Sequence, residues 1–187
     1  MNTPRTAPPR PTLVVGLGSA DRGDDAVGGH VARAVAALAD PRVVVLEHED
    51  PTDLIELWTG HDDVDVVVVD ATCSGAPAGT LRLLETGSAR PPLAQGAWAR
   101  TGRGGTHAFG LAAAVELARV LGRLPERVTV VGVEAGTLEA GSPLSAAVVA
   151  AVPRAVDAVL AAVSAGAEGA AGTAGAVRER GSSRVPR

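Results

Sequence analysis

Aromatic side chains are almost missing from this chain of 187 residues, which has two Trp, one Phe and no Tyr. The 46% apolar fraction is carried by Val, Leu and Ala, so any core must be aliphatic. Cysteine is nearly absent too. One thiol cannot make an internal disulfide framework, which fits a reducing compartment and a cytoplasmic location. An excess of positive charge is also lacking. The formal net charge of −4 leaves no basic footprint, and no nucleic-acid partner is expected. No apolar run approaches the roughly 20 residues that a membrane helix needs, and none is expected to meet a membrane. The opening "MNTPRTAPPRPT" has no apolar stretch resembling a secretory signal.

What is present is enough chain for one domain with a proper core. Residues 1–11 are Pro-rich and read as a flexible extension. Residues 165–187 are Gly/Ala-rich, then basic, and read as a disordered tail with too little apolar surface to offset ordering entropy. Between them, residues 12–164 form the expected domain. "TLVVGLG", "RVVVLEH", "DVVVVDA" and "RVTVVGVE" read as buried strands, and the alternating "TLRLLE" as a strand at an edge. Helical stripes fall between them: Val27, Val31, Val35 and Leu38, then Leu111, Val115, Ala118 and Leu121 stopped by Gly122. "PTDLIELW" suggests a short helix. Ser142 and Pro143 suggest the start of a last helix that Pro153 should kink or divide. Strands alternating with helices predict an α/β fold. It is a three-layer sandwich around a mainly parallel, twisted sheet of about five strands, with helices on both faces. If the first and third strands are neighbours, the crevice beyond their C-terminal ends is a switch point where ligands bind.

That crevice would gather acids. Asp24 and Asp25 lie just past the first strand in "GLGSADRGDDAVGGH", and Asp70 ends the four-valine run of the third. Acids at a helix N-terminus each contribute roughly 0.3–1 kcal/mol, which accounts for one of Asp21, Asp24 and Asp25 but poorly for three. A dinucleotide is disfavoured, because Asp21 stands where the third glycine of the fingerprint belongs and the acids would repel phosphate. Asp70 reads equally as a turn former or as a functional carboxylate needing partners. Of four histidines, His61 lies in a polar loop and His30 in the first helix, while His48 ends the second strand and could approach the crevice. His107 follows the glycine-rich "ARTGRGGT" and opens an amphipathic helix; it reads equally as a local cap and as a functional imidazole. Cys73 has no accompanying catalytic pattern and reads as a small buried hydrophobe. The G-x-S-x-G and H-E-x-x-H signatures are absent.

Together these stretches resemble a known family. "VVGLGSADRGDDAVGGHVA" resembles the N-terminal signature of the nickel–iron hydrogenase maturation proteases. "VVVVDAT" is similar to their second motif, and "GTHAFGLAAAVELARVLGRLPERVTVVGVE" to their third. "GSPLSAAVVAAVPRAVDAVL" looks like their closing helix, so the resemblance runs in order over residues 12–164. It implies the same α/β sandwich and an aspartic-type endopeptidase. Such an enzyme removes a C-terminal extension from the nickel-loaded precursor of a hydrogenase large subunit. It also implies that Asp25, Asp70 and His107 contact the metal and share the catalytic role. Nickel would be supplied by the substrate, and other divalent metals could substitute. The precursor would be the partner of a monomeric protein. Two carboxylates and an imidazole suit a first-row divalent ion with positions left open.

The chain departs from the signature at three places. Ser19 stands for the usual Asn, Ala26 for the usual Gly, and Ala108 lengthens the link from His107 to Gly110-Leu111. Ser19 can still bond the turn backbone. The extra residue after His107 could rotate its imidazole relative to the carboxylates. Two other classes stay open. One is a catalytically idle, nickel-sensing chaperone or binding module on this fold. The other is a different hydrolase on the same sandwich. Peptidyl-tRNA hydrolases also open on a G-x-G-N strand, but this chain lacks their asparagine and a basic RNA-binding surface.

Overall fold

A computed structural model of the chain describes residues 10–38, 40–60, 64–92 and 110–176, with side chains of the last helix described to 166. Five strands, β1 (Thr12–Leu17), β2 (Val43–His48), β3 (Asp65–Thr72), β4 (Leu81–Thr86) and β5 (Val128–Glu134), form one sheet in the order β2-β1-β3-β5-β4. All neighbours are parallel except β4, which runs antiparallel to β5 at one edge. Every expected strand is present, but β2, expected to be buried, is the other edge strand and none of its residues is fully buried, since only β1 flanks it. The half-wet "TLRLLE" is the antiparallel edge strand because only one side of it has a neighbour.

Side chains alternate across the central strands and feed two cores. Leu13, Val15, Leu17, Val66, Val68 and Val130 face α2 (Asp53–Leu57) and α3 (Leu111–Val120), where Trp58 and Val115 are fully buried. Val14, Val67, Val69, Val131 and Val133 face α1 (Val27–Ala36) and α4 (Ala146–Ala176). Burial on both faces is why these strands read as unbroken valine runs rather than alternating ones. Helix α1 sits unusually close to the sheet. A Cβ on Gly28 would press into the backbone of Leu17 and come within 2.6 Å of the Val69 carbonyl oxygen, and one on Gly16 would press into Gly28.

Several expectations are corrected. The first helical stripe is preceded by one tight helical turn, Gly23–Ala26, before α1 proper. Leu38 and Leu121, the last residues of the two predicted stripes, lie past their helix ends and are half exposed, at 55% and 50%. Gly122 does stop α3, in a left-handed conformation with φ +66°. Ser142 and Pro143 precede α4 rather than cap it. Ser145 occupies the cap, its Oγ accepting a long bond from the Val148 N–H at 3.4 Å. Pro153 sits inside α4 without dividing it.

The tail from 165 is not wholly disordered. Helix α4 continues to Ala176, since alanine carries the highest helix propensity. Its Gly166 is buried, and the Gly166 carbonyl accepts from Arg127 Nη2 at 3.0 Å. Residues 177–187 lie outside the described residues, as do residues 1–9 of the N-terminal extension. The expectation that no apolar segment reaches spanning length is also corrected, because Ala146–Gly166 is long and apolar enough by composition. Val148, Ala151, Ala155, Val159 and Val163 nevertheless form a buried row against the sheet, so this segment is a packed layer of the fold.

Candidate active site

The strand order makes β1 and β3 neighbours whose connections leave in opposite directions, so the switch point falls at their C-terminal ends. Beyond β1 the chain turns at Gly18, whose φ of +117° and contact with the Asp25 backbone leave no room for a side chain. The Ser19 N–H then donates to Asp25 Oδ2 at 2.9 Å, and the Ser19 hydroxyl donates to Asp21 Oδ1 at 2.8 Å. Ser19 thus bonds through its own amide, and its hydroxyl serves a carboxylate rather than the turn backbone.

The adjacent acids have opposite surroundings. Asp24 is fully buried. Its Oδ2 accepts from the N–H groups of Gly136 (2.7 Å) and Thr137 (3.0 Å), and its Oδ1 from that of Ser145 (2.6 Å). Burial alone would raise its pKa, but the amides of Ser145, Gly136 and Thr137 outweigh burial and hold it below the ordinary value. Asp24 therefore ties the first turn to the loop after β5 and to the start of α4. Asp25 is only partly buried and is held toward the crevice by one amide.

Asp70 lies opposite Gly132 in the β3–β5 register, at the end of the valine run. Burial, and then the charge of Asp25, push its carboxyl up to about 7, with the Ala71 N–H opposing. Asp70 therefore exchanges its proton near neutral pH, chiefly because it is buried. Asp25 thus lies near enough for its charge to act on Asp70 across this end of the sheet. His107 lies outside the described residues, together with the glycine-rich stretch before it and His61. His48 is engaged elsewhere, its Nδ1 lying 3.2 Å from Asp53 Oδ2. His30 is exposed on α1.

One acid at this end of the sheet carries no weight in the sequence. Glu134 is buried, and its Oε2 accepts from the hydroxyls of Thr72 (2.9 Å) and Ser74 (2.8 Å). Its Oε1 accepts from the N–H groups of Gly75 (2.7 Å) and Ala76 (3.1 Å). Burial raises its pKa, but these donors more than offset that and hold it low. Glu134 thereby fixes the loop that follows Asp70. The only local signal was a glutamate closing an apolar strand, with no hint that its partners lie some sixty residues away. Cys73 sits in this loop, half-buried. Burial and the charges of Glu134, Asp25 and Asp70 raise its thiol, against a smaller opposing effect of Arg22, so it is held protonated rather than as a nucleophile.

A core of paired carboxylates at the switch point of this sheet invites comparison with known proteins. The sequence profile of the hydrogenase maturation protease family matches residues 50–162, more than half of the chain. The chain belongs to that family. The matched stretch contains Asp70 and Glu134, and the turn bearing Asp25 precedes it. No curated protein matches. Among solved structures, the chain is similar to the hydrogenase-maturating endopeptidase HybD of Escherichia coli at 23% identity and a TM-score of 0.64, over 83% of this chain and 93% of that one. It is similar to the hydrogenase 2 maturation peptidase of a Thaumarchaeota archaeon at 27% identity and a TM-score of 0.56, over 82% and 98%. It is also similar to the [NiFe] hydrogenase maturation protease HycI of Thermococcus kodakarensis at 21% and 0.63, over 83% and 94%. Members of the family with this sandwich are endopeptidases of hydrogenase maturation, and that is the class of this chain.

Among the described residues, no group of three or more His, Cys, Asp or Glu side chains is placed to hold a metal ion. The crevice offers a pair of hard oxygen donors, one of which, Asp70, titrates near neutral pH because it is buried and, to a smaller extent, because Asp25 is charged. Such a pair fits a divalent cation electrostatically, since a cation between the carboxylates replaces their repulsion with attraction. It fits as part of a coordination shell rather than a whole one.

Proposed function

We propose that the protein removes a C-terminal extension from a nickel-loaded hydrogenase large-subunit precursor, with Asp25, Asp70 and His107 meeting the metal that the precursor carries. The observation that supports this most is the Asp25–Asp70 pair at the switch point. A complete protein cage would bind free metal, whereas an incomplete oxygen shell suits an ion already held by another molecule. The loaded precursor brings a positive centre to an acidic crevice, and the unloaded one does not.

The chain's own groups then have separate tasks. The Ser19 N–H orients Asp25. Asp70 gives up its proton readily near pH 7, the range in which a group can both take and return one. Glu134 and Asp24, each saturated with donors, keep the loops on either side from shifting. Nickel, once brought in, would supply Lewis-acid polarisation of a nearby carbonyl.

The test is processing of purified precursor with and without nickel. The loaded form should be cut and the nickel-free form left intact. His107→Ala should abolish cutting while the circular dichroism spectrum and melting temperature stay as in the wild type. Equal cutting of both forms, or normal processing by His107→Ala, would reject the metal-gated reading.

A further inference from the structure

The outer edge of β2 has no neighbouring strand. The Thr12 N–H donates to the Arg42 carbonyl at 2.9 Å and the Gly18 N–H to that of His48 at 3.0 Å, so the even-numbered residues of the strand bond toward β1. Backbone groups alternate in direction along a parallel strand, which turns those of Val43, Val45 and Glu47 outward. The Val43 N–H is taken by the Asp40 carbonyl at 3.0 Å. The Val43 C=O and both backbone groups of Val45 and Glu47 have no partner among the described residues. The side chains are bare as well. Val44 is 55% exposed on the face that carries α2, and on the α1 face a hollow of about 220 Å3 lies over Val43 and Val45, walled by Val35, Ala36 and Asp40. Edge strands are usually blunted by lysine, proline or a bulge. Residues 43–46 have none of these, and the strand's one carboxylate, Glu47, is paired with Arg33.

We propose that β2 pairs with β2 of a second copy, antiparallel about a two-fold axis at Val45, to give one continuous sheet with five strands from each copy. The strand is complementary to itself in this register. The outward groups of Val45 meet those of Val45 in the second copy, and each Glu47 N–H meets the Val43 C=O across the axis. Only the Glu47 C=O goes unpaired, because the Val43 N–H is already given to Asp40. Aliphatic side chains meet aliphatic ones. Val45 meets its own copy over the hollow, and Val44 meets Leu46 on the opposite face. Charge selects the antiparallel direction. Glu47, Glu49 and Asp50 gather at one end of the strand, and Arg42 stands at the other. Reversing the second copy sets Arg42 opposite His48, next to Glu47 and Glu49, and keeps the two acidic ends apart. It also points the two acid crevices to opposite ends of the sheet, so neither blocks the other. One short strand buries little area, so the dimer is a weak one that concentration controls.

The experiment uses the full chain. Sedimentation velocity should show monomer at about 5 μM and a growing dimer fraction toward about 500 μM. Val45→Pro removes the outward N–H and leaves the bonds to β1, since edge strands accept proline where the N–H faces solvent. It should stay monomeric over the same range. Val44→Lys puts a charge at an exposed edge position and should weaken association about tenfold. Melting curves confirm that the variants fold, and Val44→Lys decides alone if Val45→Pro does not. In a second arm, Cys73→Ala removes the native thiol. Val45→Cys should then form an intermolecular disulfide on mild oxidation, because the paired Cα atoms would stand about 5.5 Å apart. Leu83→Cys, on the free edge of β4, should form none. A wild type that is monomeric throughout, unchanged association of Val44→Lys, or a crosslink through Leu83 in place of Val45 overturns the pairing. So does slow hydrogen exchange of the Val45 and Glu47 amides in the dilute monomer, which would mean that another part of the chain covers the edge.

Discussion

At the residue scale, the two neighbouring aspartates divide structure from chemistry. Asp24 receives three backbone N–H groups from distant loops, and Asp25 receives one. Charge-assisted bonds are worth about 1.5–3 kcal/mol each, and their loss here also strands buried donors. Asp24→Ala should therefore lower stability by about 3 kcal/mol or more in urea denaturation. Asp25→Asn should stay close to wild type in the same measurement and lose processing of the nickel-loaded precursor. Asp70 gives a pH signature of a definite sign. Its folded pKa of about 7 lies above the ordinary 3.8, so the folded state binds more protons between those values. The penalty is absent at pH 3.8 and below, grows as the pH rises toward 7 and is constant beyond. Asp70→Asn should raise the melting temperature at pH 8 and have little effect at pH 4. Asp24 and Glu134 act in the opposite sense. Their pKa values are lowered, so the stability they contribute is present above the ordinary carboxylate values and lost as the pH falls through the lowered ones.

At the element scale, the close seat of α1 on the sheet decides where its first turn, and hence Asp25, can lie. Gly28→Ala would force a methyl group into the backbone of Leu17 and Val69, which cannot yield as a side chain can. The cost should be about 2–3 kcal/mol, read as a fall in the urea midpoint without a change in slope. The far end of α4 is fixed differently. Arg127 bridges the carboxylate of Asp65 (2.8 and 3.0 Å) and the Gly166 carbonyl (3.0 Å), and Asp65 is only 6% exposed. Arg127→Ala leaves that carboxylate buried without its partner and should cost about 3 kcal/mol. Deleting residues 168–187, beyond the anchor, should move the melting temperature by less than about 2 °C. A larger drop on truncation than on Arg127→Ala would show that the tail contributes packing of its own.

At the scale of the whole molecule, one sheet face is covered by α2 and α3 and the other by α1 and α4, while the carboxylates collect at one end of the central strands. All five strands and the parallel core were legible because the four parallel strands are valine-rich runs and β4 an alternating one, each bounded by turn residues. The switch point followed from chain order. That Asp25 and Asp70 lie at the same end of the sheet was legible, since each ends or follows a strand that the topology makes adjacent. The helix ends were less so, as Leu38 and Leu121 show. Apolar spacing continues past the point where backbone bonding stops.

By itself the sequence determined what depends on short-range pattern: the strands, the layers and the motif positions that place the chain among the hydrogenase maturation proteases. Only the tertiary structure decided which acids are spent on the fold and which stay free. Asp24 and Asp25 are chemically identical neighbours, and nothing local separates them. The difference is that Gly136, Thr137 and Ser145 come to one of them from the other end of the chain. Glu134 is absorbed in the same way by the loop after β3. Asp70 is pushed up to about 7 because burial and the charge of Asp25 act on it together, and both arise only when β1 and β3 lie side by side.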